Sequence, residues 1–146
     1  MIRFGKTAQT AISALSLLAE VYDGGRTKLS SSEIARRRRL PRPIVAKILT
    51  LVSSLDLVDG TQGPGGGYWL KRRPQEISLL DIVQELDPID REILCPFGPG
   101  WCGRGEPCPL HAAFEKLDAD WNSYLRTTTL AVFALPAAET PARRRA

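Results

Sequence analysis

Residues 95–111 read CPFGPGWCGRGEPCPLH and hold all three cysteines of the chain and its only histidine. Cys95, Cys102, Cys108 and His111 are soft donors spaced Cys-x6-Cys-x5-Cys-x2-His. Three thiolates and an imidazole fill a tetrahedral zinc site. The same groups ligate iron–sulfur clusters, where His in place of Cys raises the potential. Two other chemistries use these thiols. One is an intramolecular disulfide with a third thiol left over, a redox switch without metal. The other is thiols buried for packing, which four soft ligands within seventeen residues argue against. Spacing alone puts zinc first. Pro96, Pro99, Pro107 and Pro109 exclude regular structure in this stretch. Gly98, Gly100, Gly103 and Gly105 let the backbone approach whatever is bound. An enzyme is not expected. There is no Cys-x-x-Cys, no nucleotide-binding loop, and no second histidine to act as a base.

Charge identifies a second chemistry. The net charge is +4, from 20 Lys/Arg and 16 Asp/Glu. Residues 26–73 hold eleven basic and three acidic residues, a net of +8, while residues 74–146 net −4. A basic module inside a mixed chain suits a polyanion, most often nucleic acid.

The elements that must position these residues follow from periodicity and punctuation. Ala8, Ala11, Ile12, Leu15, Ala19 and Tyr22 recur at helical spacing and predict a first helix over 7–22. That spacing marks a core face rather than a secretory leader. Ser30 and Glu33 fit a capping box that opens a second helix running to about Arg38. Pro43 suits the first turn of a third helix over 43–55. Ile44, Ile48, Leu51, Val52 and Leu55 are expected on its buried face. Two short basic helices joined by a tight turn form a helix-turn-helix pattern. Segments 57–62 and 67–72, around Gly-Pro-Gly-Gly-Gly, predict a β-hairpin, hence a wing. Ser78 with Asp81 opens a helix over 78–87, with Ile77 and Ile82 as a hydrophobic staple. A long helix is expected over 112–133, with Phe114, Leu117, Trp121, Tyr124, Leu125, Thr128 and Val132 on one side. It packs either on its own copy in a homodimer or back on its own domain. No run of eighteen apolar residues occurs, so no membrane-spanning segment is expected. The placement is cytoplasmic, where stable disulfides are rare.

Four pieces together resemble a known family. They are the first helix ending in ALSLLA, the helix-turn-helix with the wing GPGGGYWL, the helix LLDIVQELDP, and three cysteines before a long helix. The chain resembles the bacterial winged-helix transcription regulators that carry iron–sulfur clusters. The implied fold is mainly α with a small β-hairpin: a winged helix-turn-helix domain plus a long C-terminal dimerisation helix. The implied units are a DNA-binding domain at 1–75, a linking helix at 76–94 and a cluster-binding loop at 95–111. A dimerisation helix at 112–135 and a disordered tail at 136–146 complete them. The resemblance implies a homodimer on a palindromic operator in double-stranded DNA, with repression the expected output. It moves the cluster ahead of zinc, with 2Fe-2S favoured over 4Fe-4S, held by Cys95, Cys102, Cys108 and His111. Gln9 stands where some relatives place an aspartate ligand, and Thr10 where many place a tyrosine. The expected DNA-contacting residues are Ser31 and Ser32 at the start of the second helix, and Arg42, Pro43, Lys47 and Thr50 on the third. Gln62, Gly63 and Gly65 are expected to do so on the wing. Arg36 to Arg39, Lys71, Arg72 and Arg73 are expected to touch phosphate or be solvated.

Overall fold

The computed structural model describes residues 4–87 and 106–134. Cys95, Cys102 and the tail at 136–146 lie outside them. Among these residues six α-helices and one hairpin follow in the order α1 (Lys6–Glu20), α2 (Ser31–Arg38), α3 (Arg42–Ser54), β1 (Val58–Thr61), β2 (Gly67–Leu70), α4 (Leu79–Leu86), α5 (His111–Thr127) and α6 (Ala131–Ala134), with a short 3-10 turn at Pro74–Glu76 before α4. The fold is a mainly helical winged helix-turn-helix.

Helix α1 is the hub. Its first N–H groups need partners, and the Gly5 N–H donates to Asp87 Oδ2 at 2.5 Å. A carboxylate there also complements the helix dipole. Burial is wider than the single face expected. Ala14, Leu17 and Leu18 are as buried as Ala8, Ala11 and Leu15, because α2, α3, α4 and α6 all pack on α1.

Helix α2 opens as expected at Ser30, whose Oγ accepts from the Glu33 N–H at 3.1 Å. It closes at Arg39 in a left-handed conformation, φ 55°. Helix α3 begins at Arg42, with Pro43 in its first turn. Its buried stripe is Val45, Ile48, Leu49 and Val52: Ile48 and Val52 are buried as expected and Leu55 packs partly buried against the core, but Val45 and Leu49 take the places expected of Ile44 and Leu51. Ile44 and Leu51 are 48% and 38% exposed. Apolar residues cover most of this helix's circumference. Periodicity then shows that a buried face exists, while the packing of α1 and α2 sets its centre.

Strands β1 and β2 pair antiparallel, with Val58 opposite Leu70 and Thr61 opposite Gly67. The Gly66 N–H donates to the Gly63 carbonyl at 3.0 Å. Pro64 and then Gly65, at φ +73°, occupy the corner as a type II turn requires. The segment before α2 adds a rung that sequence did not suggest: Leu29 and Tyr68 exchange both backbone hydrogen bonds, at 3.0 and 2.8 Å. The wing is thereby tied to the helix-turn-helix.

Helix α4 carries the complete Ser78–Asp81 capping box, and Ile77 and Ile82 are both fully buried. Helix α5 is shorter than expected. It stops at Thr128, whose carbonyl accepts from the Leu79 N–H at 2.8 Å, while the Leu130 N–H donates to the Ile77 carbonyl at 2.9 Å. Thr128 and Thr129 are β-branched and suit this extended rung better than a helix. Leu125 and Leu130 are fully buried in the same core cluster as α1 and α3.

Candidate functional site

The basic module presents a groove of about 620 Å³ between the helix-turn-helix and the wing. Ser31, Arg42 and Ser53 line one side, and Thr61, Gln62, Gly63 and Tyr68 the other. Four of the residues expected to touch DNA, Ser31, Arg42, Gln62 and Gly63, therefore meet around one space. Ser32 is half-buried beside Ser31, and Pro43, Lys47, Thr50 and Gly65 are exposed outside this lining. The Thr50 hydroxyl donates to the Ala46 carbonyl at 3.1 Å, so only its lone pairs face outward. Gly63 and Gly65 have positive φ, and an added Cβ at either would meet open space. They let the backbone itself face a ligand. Gly66 is different: a Cβ there would lie 2.4 Å from the Thr61 carbonyl oxygen, so the turn itself demands it.

The cations divide into two sets. Arg36, Arg37, Arg39, Arg42 and Lys47 are exposed and make no ion pair among the described residues. Arg38 does not join them as a phosphate contact or solvated charge. Its Nε donates to the Ser13 carbonyl at 3.0 Å, and its Nη2 reaches Ser16 Oγ at 2.8 Å and Glu20 Oε1 at 2.5 Å. It clasps α2 onto α1. Lys71 pairs with Asp56, whose carboxylate holds the ammonium pKa above its usual value. Arg73 pairs with Glu76 at 2.8 Å and keeps that carboxyl below its usual value. Lys28, which sequence did not single out, lies with Nζ 4.7 Å from the Trp69 ring centroid and 3.4 Å from Thr61 Oγ1. It places a cation on the flank of the wing. No local signal pairs residue 28 with residues 61 and 69; the Leu29–Tyr68 rung brings them together.

At the foot of α5, Cys108 is 4% exposed and His111 half-buried. The His111 N–H donates to the Cys108 carbonyl at 2.9 Å. His111 Nε2 lies 3.1 Å from Glu115 Oε1. In a neutral imidazole, an N–H at Nε2 donates to that carboxylate and leaves the Nδ1 lone pair as a ligand. Carboxylate partners orient metal-bound histidines in this way. Thiol and imidazole three residues apart at a helix start thus fit one half of a Cys-three-His set for iron or zinc. The helix they begin reaches the reading head. Trp121 packs against Phe4 with ring centroids 5.3 Å apart and the ring planes tilted by 39°, and α4 packs against α5. Gln9 is exposed on α1 and its Nε2 donates to the Phe4 carbonyl at 2.8 Å.

Known proteins agree with this architecture. The profile of the Rrf2 family, described as an iron-dependent transcriptional regulator, matches residues 4–135. A protein of Aquifex aeolicus (strain VF5) described as an HTH-type transcriptional regulator is 29% identical over 129 residues, covering 87% of this chain and 88% of its own. The transcriptional regulator IscR of Escherichia coli O1:K1 / APEC is 26% identical, covering 88% of this chain and 78% of its own. Among solved structures, T. potens IscR superposes with a TM-score of 0.73 at 22% identity, over 95% of this chain and 92% of its own. CymR, the global cysteine regulator of B. subtilis, has the same TM-score at 23% identity, over 92% of this chain and 97% of its own.

Proposed function

The chain belongs to the Rrf2 family of transcriptional regulators, and on that premise we propose that it is a dimeric repressor whose operator affinity is set by an iron–sulfur cluster. Cys95, Cys102, Cys108 and His111 would hold the group, 2Fe-2S in preference to 4Fe-4S. When bound, it would supply chemistry sensitive to iron supply, nitric oxide or redox state. One observation carries this reading. The Cys108–His111 pair begins the helix whose far end, through Leu125, is locked into the core of the reading head. A change in how that pair is held tilts α5 at its foot. Leu125, Leu130 and the Trp121–Phe4 contact pass the tilt to α1, on which α2 and α3 rest. In a homodimer joined through α5, the same tilt changes the separation of the two reading heads on a palindromic operator. The coupling this requires is modest, about 1–3 kcal/mol. DNA recognition would fall to Ser31, Ser32, Arg42, Pro43, Lys47 and Thr50 from the helices and to Gln62, Gly63 and Gly65 from the wing. No described helix is long and apolar enough to cross a membrane, which accords with a cytoplasmic regulator.

The test is an absorption spectrum with iron, acid-labile sulfide and zinc analysis on protein purified without oxygen. The expected result is visible absorbance with iron and sulfide, lost in Cys95→Ala, Cys102→Ala, Cys108→Ala and His111→Ala. Operator affinity is expected to differ about 5- to 150-fold between loaded and stripped protein. A colourless protein with one zinc per chain and an operator affinity indifferent to oxidants would replace this reading with a zinc-stapled regulator. Absence of both metals after reconstitution would leave a thiol switch.

A further inference from the structure

The exposed face of α3 is not uniformly polar. Ile44 is 48% exposed and Leu51 38%, and with Lys47 they fall at i, i+3 and i+7, on one side of the helix. The core does not need Ile44, since Val45, Ile48, Leu49 and Val52 supply the buried stripe. A single exposed apolar residue is ordinary on a protein surface. Ile44 is set apart by its surroundings. It sits in the first turn of α3, two residues after exposed Arg42 and three before exposed Lys47, with which it shares a side of the helix, while Arg42 and Ser53 of the same helix line the groove facing the wing. Arg36, Arg37 and Arg39 of the preceding helix are exposed as well. Exposed positive charge along these two helices would repel a basic partner and does little for an uncharged one, whereas it complements phosphate on both sides of a groove. The first turn of a recognition helix is the part that reaches base edges. Among those edges, the thymine 5-methyl is the apolar group that a β-branched side chain can cover.

We propose that Ile44 is a specificity-determining residue that packs on the 5-methyl of a thymine in each operator half-site. This rests on the DNA-binding reading above and deepens it: the operator must carry an A·T pair, thymine toward Ile44, next to the positions reached by Arg42 and Lys47.

The test begins by selecting the preferred site from a pool of randomised duplexes with the full-length protein. Each thymine of that site is then replaced singly by deoxyuridine, which removes the methyl and leaves every hydrogen-bonding group. At one position per half-site, uracil is expected to weaken binding about fourfold, the effect of one buried methyl. The same replacement is expected to leave the affinity of Ile44→Ala unchanged. Because Ile44 is exposed, that variant should keep its thermal midpoint, which shows that it is folded. A scan in which no thymine matters, or in which Ile44→Ala loses as much as the native protein, would overturn the assignment while leaving DNA binding intact. If the pool yields no preferred duplex, the DNA-binding reading fails and takes this proposal with it.

Discussion

The reading head and helix α5 are built on opposite plans. From Leu29 to Leu70 almost every local feature is fixed more than once: a serine cap, a type II turn, a backbone rung to Tyr68, and glycines whose replacement would collide with backbone. Among the seventeen residues of α5, Leu125 alone is buried, while Leu117 and Tyr124 are 56% and 50% exposed. A segment fixed on all sides holds a shape that an unchanging ligand can recognise. A helix anchored at one end, with an apolar side left open, is one whose position a partner and a ligand at its foot can set.

The sharpest way to break this comparison is to remove the anchor. Leu125→Ala should cost about 2–5 kcal/mol in denaturant unfolding, whereas Leu117→Ala, eight residues earlier, should leave the unfolding midpoint nearly unchanged at low protein concentration. If the two cost the same, α5 is held along its length and the contrast disappears. Next in size is the wing. In Gly67→Ala the new Cβ would lie 2.9 Å from the Leu29 backbone at φ +146°. A loss of about 1–3 kcal/mol is expected from the strain, together with loss of operator binding. Arg38→Ala should cost about 1.5–3 kcal/mol, since it removes a charged donor to Ser13, Ser16 and Glu20. Arg37→Ala should leave stability within about 0.5 kcal/mol yet flatten the salt dependence of DNA binding by about one unit of slope. Measuring both quantities on both variants separates the arginine that clasps α2 onto α1 from one proposed to face DNA.

The smallest expected effect lies in the turn before the head. The Thr27 N–H and hydroxyl, with the Arg26 N–H, hold the Asp23 carboxyl below the usual carboxylate range. A lowered folded pKa means stability that is fully present above the ordinary value, near pH 4, and lost as pH falls through the folded value. Thr27→Val should raise the Asp23 pKa in an NMR titration and leave the rest of the head unmoved.

Much of this molecule is legible in its sequence. The Ser30 cap, the Ser78–Asp81 box, the Gly-Pro-Gly-Gly turn and the existence of a helix-turn-helix rest on interactions within four residues, and local chemistry suffices for those. The clustering of Cys95, Cys102, Cys108 and His111 is equally a property of the chain. Relations across long stretches of chain were decided only by packing. Arg38 looks like one of four equivalent arginines until α1 supplies Glu20 and Ser16 eighteen and twenty-two residues away. Lys28 belongs to no predicted element until Leu29 pairs with Tyr68. Ile44 looks like core until α1 and α2 choose the neighbouring face of α3, and the long helix looks continuous until Leu130 is drawn into the core. The amphipathic period of a helix constrains which residues share a face. Which face turns inward, and where the helix must stop, depends on neighbours that only the folded chain brings together.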